Sequence, residues 1–151
     1  MSRVRVLLAD DHEEFLAVEV RLLEPEFEVL RTVGNGRAVL EEDARLAPDV
    51  IVLDIAMPVL GGIETARHLR AAGSRAKIVF LTIHGDSDYV RAGLAAGASG
   101  YVVKSRLATD LVPALRDALA GRTFVSPTIH PEQAGPQDTC TAPAPVRGPP
   151  A

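Results

Sequence analysis

Short apolar runs alternate with amphipathic stretches along about the first 125 residues, and four of these runs stop on a polar residue. Val6, Leu7, Leu8 and Ala9 lead into Asp10 and Asp11; residues 50–53 lead into Asp54, 78–81 into Thr82, and 101–103 into Lys104. Continuous apolar runs of this length read as strands buried on both faces, the mark of a parallel sheet covered by helices. Parallel strands point their carboxyl ends the same way, and open α/β folds bind ligands along that edge. Three carboxylates, a hydroxyl and an ammonium are thereby expected to meet on one rim.

The intervening segments carry helical spacing. Phe15, Val18 and Leu22 predict a first helix closed by Pro25, and further helices are expected over 37–46, 62–71 and 89–96, with Pro48, Gly73 and Gly97 at their exits. The last helix shows the stripe Leu111, Ala114, Leu115, Ala118 and Leu119, with Thr109 expected as N-cap, Pro113 in the opening turn and Gly121 as the stop. Strands are expected over 5–10, 28–33, 50–54, 77–82 and 100–104. Five β-α units with short connections predict an α/β, doubly wound parallel sheet joined by right-handed crossovers. Gly34, Asn35 and Gly36 also follow a strand and open a helix, but the third glycine of a dinucleotide fingerprint is missing, so they read as a turn.

A chain of 151 residues suits one domain able to bury its own core. Hydrophobic residues reach 47% but aromatics only 4%, so that core must be aliphatic and alanine-rich. The lone cysteine, Cys140, excludes an intramolecular disulfide, and neither a signal peptide nor a long apolar span is visible, so a cytoplasmic protein is expected. A net charge of -4 offers no basic footprint for nucleic acid or an anionic membrane. Seven of the eleven prolines fall between Pro127 and Pro150, among Ala, Gly, Gln and Thr. Such a segment cannot offset its own ordering entropy, so residues 1–126 are read as the folded domain and 127–151 as a Pro/Ala-rich flexible tail.

Asp10, Asp11 and Asp54 close together would repel, and would either take up a proton or bind a cation. A hard divalent ion fits best, and Mg²⁺ is commonly held by one or two carboxylates plus a phosphate. With its charge neutralised, one carboxylate can attack phosphorus and form an acyl phosphate, with Lys104 and Thr82 contacting the new phosphoryl group. Taken singly, each residue has a plainer reading. Asp11 with Glu14 fits a helix capping box, Asp54 a loop cap, Thr82 a strand preference, Lys104 a surface charge and Tyr101 simple packing. Four strand ends with compatible chemistry favour a shared site. His12, His68, His130 and Cys140 are assigned no role.

The acidic pair in LeuLeuAlaAspAspHis, the acceptor in ValLeuAspIleAlaMetPro with its following GlyGly, the hydroxyl in PheLeuThrIleHis and the run AlaGlyAlaSerGlyTyrValValLys together resemble the receiver domain of bacterial two-component response regulators. The resemblance covers residues 3–127. It implies a flavodoxin-like sheet of order 2-1-3-4-5 and phosphorylation on Asp54. It also implies Mg²⁺ held by Asp11, Asp54 and the main-chain carbonyl of Ala56, with Asp10 acting through a bound water. Thr82 and Lys104 would contact the phosphoryl group, and Thr82 with Tyr101 would form the switch, Tyr101 turning inward as Thr82 moves. Ala56, Ile83 and His84 depart from the pattern: Ala56 and His84 are expected to modulate dephosphorylation, and Ile83 to narrow access to Asp54.

The implied function is a stand-alone receiver in a phosphorelay, a phosphoacceptor rather than an enzyme, with at most slow autophosphorylation and autodephosphorylation. Expected partners are a sensor histidine kinase, a histidine phosphotransfer protein or output protein, and a second copy of the chain on phosphorylation. The ending GlyArgThrPheValSerPro resembles the subfamily whose receiver precedes a LuxR-type helix-turn-helix, which does not follow here. The alternatives are a remnant of such a transcriptional regulator and a Mg²⁺-dependent aspartyl phosphohydrolase.

Overall fold

The computed structural model describes residues 3–83 and 87–127. Its elements run β1 (Arg5–Ala9), α1 (Glu13–Leu23), β2 (Glu28–Val33), α2 (Gly36–Leu46), β3 (Val50–Asp54), α3 (Gly62–Ala71), β4 (Lys77–Thr82), α4 (Ser87–Ala95), β5 (Gly100–Val103), α5 (Leu107–Leu119) and β6 (Phe124–Val125). The strands form one sheet of order β2-β1-β3-β4-β5-β6, parallel throughout. The flavodoxin-like order expected for the first five strands is present, and β6 extends it by one short edge strand.

Every residue of β3 is buried, and so are all but the first residues of β1 and β4, because these strands are central and covered on both faces. Alternate residues divide between two cores. Leu7, Ile51, Leu53, Ile78, Phe80 and Tyr101 pack with Val39, Leu69 and Val90 of α2, α3 and α4. Val6, Leu8, Val50, Val52, Val79 and Leu81 pack with Leu23 of α1 and Leu111, Ala114, Leu115 and Ala118 of α5. The edge strand β2 alternates only weakly between half-buried and exposed positions.

Turn chemistry holds where the sequence marked it. Gly73, Gly97 and Gly121 sit at positive φ after α3, α4 and α5. Asn35 is the N-cap of α2 and its side chain accepts the Ala38 amide, as a turn requires. A Cβ on Gly36 would lie 2.0 Å from Thr65 Oγ1, so this glycine also lets α2 close onto α3.

Several expectations need correction. Lys104 does not end a strand but opens a 3-10 turn, Lys104–Arg106, and α5 begins at Leu107. Thr109 is therefore inside the helix, its hydroxyl donating back to the Arg106 carbonyl, and is not the N-cap. Pro113 lies in the helix interior rather than its opening turn. Its missing N–H deprives the carbonyl of Thr109 of its helical donor, and both residues lie on the exposed face of the helix, where solvent can take that place. The capping box of Asp11 and Glu14 does not form: His12 is the N-cap of α1 and makes no side-chain cap bond. Val18 and Leu119 prove to be exposed, and the buried face of α1 instead carries Glu19 between Phe15 and Leu23.

The residue after β6 is fastened. Ser126 is fully buried; its hydroxyl donates to Asp110 Oδ2 at 2.8 Å and accepts the Val103 amide at 3.1 Å, while its own amide donates to the Tyr101 carbonyl. Arg106 Nε holds the same Asp110 carboxylate at 2.9 Å. Apart from Pro127, the tail reading falls outside the described residues, as do His130 and Cys140.

Candidate functional site

The carboxyl ends of β1, β3, β4 and β5 bring the expected residues together. Asp10 follows β1, its amide donating to the Val33 carbonyl, and Asp54 closes β3, in register with Leu81 of β4. Thr82 closes β4 opposite Val103, one residue before Lys104. Asp10, Asp54, Thr82 and Lys104 are all buried, whereas the Asp11 side chain keeps 36% of its surface exposed. The second glycine of the GlyGly pair has a steric reason, because a Cβ on Gly62 would lie 2.4 Å from the Asp54 carbonyl oxygen.

Lys104 Nζ lies 2.7 Å from Asp10 Oδ2 and 3.3 Å from Asp54 Oδ2, at ion-pair distance but without hydrogen-bond alignment to either oxygen. It also sits 4.2 Å from the ring centroid of Phe15, whose π face favours a cation. Burial, followed by the neighbouring Asp10 carboxylate, pushes the Asp54 carboxyl up to about 6, against the opposing pull of Lys104 and of the Ala56 amide, which donates to Asp54 Oδ1 at 3.3 Å. A carboxylate so disposed is neutralised readily by a proton or by a cation.

Donor atoms of Asp10, Asp11, His12 and Asp54 lie within 4.8 Å of one another, a partly buried acidic and imidazole cluster able to coordinate a divalent metal. The donor chemistry fits, since the buried Asp10 Oδ2 and Asp54 Oδ2 lack hydrogen-bond partners and hard ions take carboxylate oxygens.

Two residues escaped the sequence reading. His12 projects its Nδ1 into the acidic group rather than lying apart on the helix surface. Glu19 is fully buried with both carboxylate oxygens lacking hydrogen-bond partners, and burial, then Asp10, pushes its carboxyl up to about 8. Its signal was an acid one helical turn after Phe15, on the apolar stripe.

The remaining expected residues are placed less centrally. Tyr101 is already fully buried, its ring 5.8 Å from that of Phe80, with α4 brought close by Gly93, where a Cβ would lie 3.0 Å from both rings. Ala56 is exposed beside Asp54, and Ile83 keeps 55% of its surface exposed at the rim. His84 lies outside the described residues. Between Asp54 and α3, Val59 adopts φ of 70° while the Leu60 amide donates to the Pro58 carbonyl at 2.7 Å, forming a γ-turn centred on a β-branched residue.

A family model described as the response regulator receiver domain matches residues 6–116. The transcriptional regulatory protein DegU of Brevibacillus brevis is 35% identical over 130 residues, covering 85% of this chain and 55% of that protein. The response regulator GacA of Pseudomonas viridiflava is 33% identical, covering 83% of this chain and 60% of that one. The chain thus spans little more than half the length of these relatives. Among solved structures, a LuxR-family two-component response regulator from an Aurantimonas species matches with a TM-score of 0.80 at 36% identity, covering 85% of this chain and 93% of that one. The receiver domain of the putative response regulator NarL from Mycobacterium tuberculosis matches with a TM-score of 0.77 at 31% identity, covering 81% of this chain and all of that one. Among the described residues, no helix is long and apolar enough to cross a membrane.

Proposed function

The chain belongs to the response regulator receiver domain family, and from that premise we propose that Asp54 accepts a phosphoryl group from a sensor histidine kinase. The observation that carries the assignment is the setting of Asp54: a buried carboxylate at a strand end, beside a second buried acid and within 3.3 Å of a buried ammonium.

Asp11, Asp54 and the main-chain carbonyl of Ala56 would hold Mg²⁺, with Asp10 beside it. The ion supplies the positive charge that keeps Asp54 ionised and lets a phosphate approach. An Asp54 carboxylate oxygen attacks phosphorus, the P–N bond of the donor phosphohistidine breaks, and the departing imidazole takes up a proton. Lys104 exchanges part of its contact with Asp10 for the phosphoryl oxygens, and the Thr82 hydroxyl donates to one of them. Thr82 and Tyr101, on the neighbouring strands β4 and β5, carry the change toward α4, biasing a surface that binds an output protein, a histidine phosphotransfer protein or a second copy of the chain. Ala56 and His84, two residues beyond Asp54 and Thr82 in sequence, set the lifetime of the acyl phosphate.

Intact mass after incubation with Mg²⁺ and acetyl phosphate tests the assignment. Wild type is expected to gain one phosphoryl group and Asp54→Asn none. An adduct on the variant, or none on a Mg²⁺-bound wild type, would overturn it.

A further inference from the structure

His12 holds the N-cap position of α1 in extended conformation, φ -101° and ψ 107°, yet its side chain gives the helix no capping bond. Serine, threonine or aspartate there would accept a first-turn amide. The imidazole instead turns to the acids: Nδ1 lies 3.1 Å from Asp10 Oδ1, 3.2 Å from Asp11 Oδ1 and 4.0 Å from Asp54 Oδ2. Its main-chain amide donates to Asp10 Oδ1 at 2.9 Å, which fixes the backbone that presents the ring. The side chain remains 44% exposed, so the imidazole stands at the mouth of a site whose other acids, Asp10 and Asp54, are buried.

Two features suit a ligand better than a hydrogen-bond clip alone. An ion about 2.1 Å from its ligands in an octahedron sets adjacent donors about 3 Å apart and opposite donors about 4.2 Å apart, close to the separations of Nδ1 from Asp11 Oδ1, 3.2 Å, and from Asp54 Oδ2, 4.0 Å. Asp10 Oδ2 and Asp54 Oδ2 both face Lys104 Nζ, at 2.7 and 3.3 Å, so one ammonium stands against the carboxylates of Asp10, Asp11 and Asp54, a negative excess that a divalent ion balances. Imidazole nitrogen suits first-row transition ions, whereas Mg²⁺ prefers oxygen and keeps its waters.

We propose that His12 Nδ1 is a ligand of the divalent ion held at Asp11 and Asp54, and that the site therefore favours a first-row transition ion such as Mn²⁺ over Mg²⁺. The proposal rests on the reading that a divalent ion sits beside Asp54, and it adds to that reading the donor that sets metal preference. As ligand, His12 presents the Nδ1 lone pair to the ion, and Nδ1 cannot then serve Asp10 Oδ1 as a hydrogen-bond donor.

The test uses the full chain and the metal ions alone. Calorimetric titration gives the ratio of Mn²⁺ to Mg²⁺ affinity for wild type and His12→Ala, and nitrogen modulation of the Mn²⁺ electron spin echo reports directly on imidazole coordination. Nitrogen coupling in wild type, its loss in His12→Ala, and a fall of about tenfold in the affinity ratio are expected. Mn²⁺ bound without nitrogen coupling, or an unchanged ratio, would reduce His12 to a hydrogen-bond donor to Asp10 and overturn the proposal. Parallel phosphorylation of wild type by acetyl phosphate separates the two levels. An Asp54 adduct without nitrogen coupling sinks the role of His12 alone, whereas failure to form an adduct with either ion sinks the receiver reading beneath it.

Discussion

The two ends of the sheet treat charge in opposite ways. At the amino end, Asp49 accepts the Arg5 amide at 2.9 Å, Arg5 donates to the Ala47 carbonyl, and Asp43 accepts the Ser74 hydroxyl. Each carboxylate there has a donor, and the bonds tie strand starts to helix ends. At the carboxyl end, Asp10, Asp54 and Glu19 are buried around one ammonium, and each keeps an oxygen without a hydrogen bond. Buried polar groups are ordinarily satisfied. The contrast marks the carboxyl rim as a place where stability has been given up to hold buried charge, the setting that the proposed phosphoryl acceptor requires.

The largest expected effect that sharpens this contrast concerns Glu19. Its folded carboxyl titrates near 8 against an ordinary 4.5, so between those values the unfolded chain has lost the proton that the folded chain still holds. Stability contributed by the protonated form is complete below pH 4.5 and is lost as pH rises toward 8, at up to about 1.4 kcal/mol per pH unit. Asp54 acts in the same direction from 3.8 to about 6. Chemical denaturation across pH 5 to 8 is expected to show a falling curve for wild type and a flatter one for Glu19→Gln, with Glu19→Leu further stabilised by about 1–3 kcal/mol through removal of the unsatisfied polar group. Equal slopes in wild type and Glu19→Gln would mean that Glu19 is solvated, and the contrast would weaken.

At the other end the sign reverses. Asp49→Ala removes a satisfied acceptor from an exposed bond and is expected to cost about 1 kcal/mol of unfolding free energy in chemical denaturation while leaving Asp54 phosphorylation unchanged. A comparable gain in stability would show that the amino end is no better arranged than the rim. The smallest effect is local. Val59→Gly releases a β-branched residue from φ of 70°, offset by the greater freedom glycine has when unfolded, for a net gain of about 0.5–1 kcal/mol in melting experiments. No gain would mean that the γ-turn is unstrained.

Much of the fold was legible because continuous apolar runs, glycines and prolines punctuate the chain. Strands β2, β3 and β4 and helix α3 have the expected boundaries, and Asp54 and Thr82 lie at the strand ends where their runs stop. Less legible were features decided by rotation or by neighbours. Lys104 directly follows an apolar run and reads as the end of its strand, yet the chain tightens there into a 3-10 turn, which moves the start of α5 ahead of Thr109 and places Pro113 inside the helix. The two-residue β6 is too short to carry a period and exists through its pairing with β5. His12 and Glu19 were missed because their roles depend on which way α1 faces the sheet. A stripe built on Val18 rotates that helix away from the orientation in which Glu19 is buried.

The fastening of Ser126 also has a mechanical consequence. Strand β6 runs parallel to β5, and Ser126 is bonded at once to Asp110, Val103 and Tyr101. Tension applied along the strand to the chain beyond Pro127 therefore loads these bonds together, in shear, instead of opening them one after another like a zipper. The anchor bears on Val103, the residue before Lys104. The same bonds that hold the strand end therefore brace the backbone from which the lysine is presented.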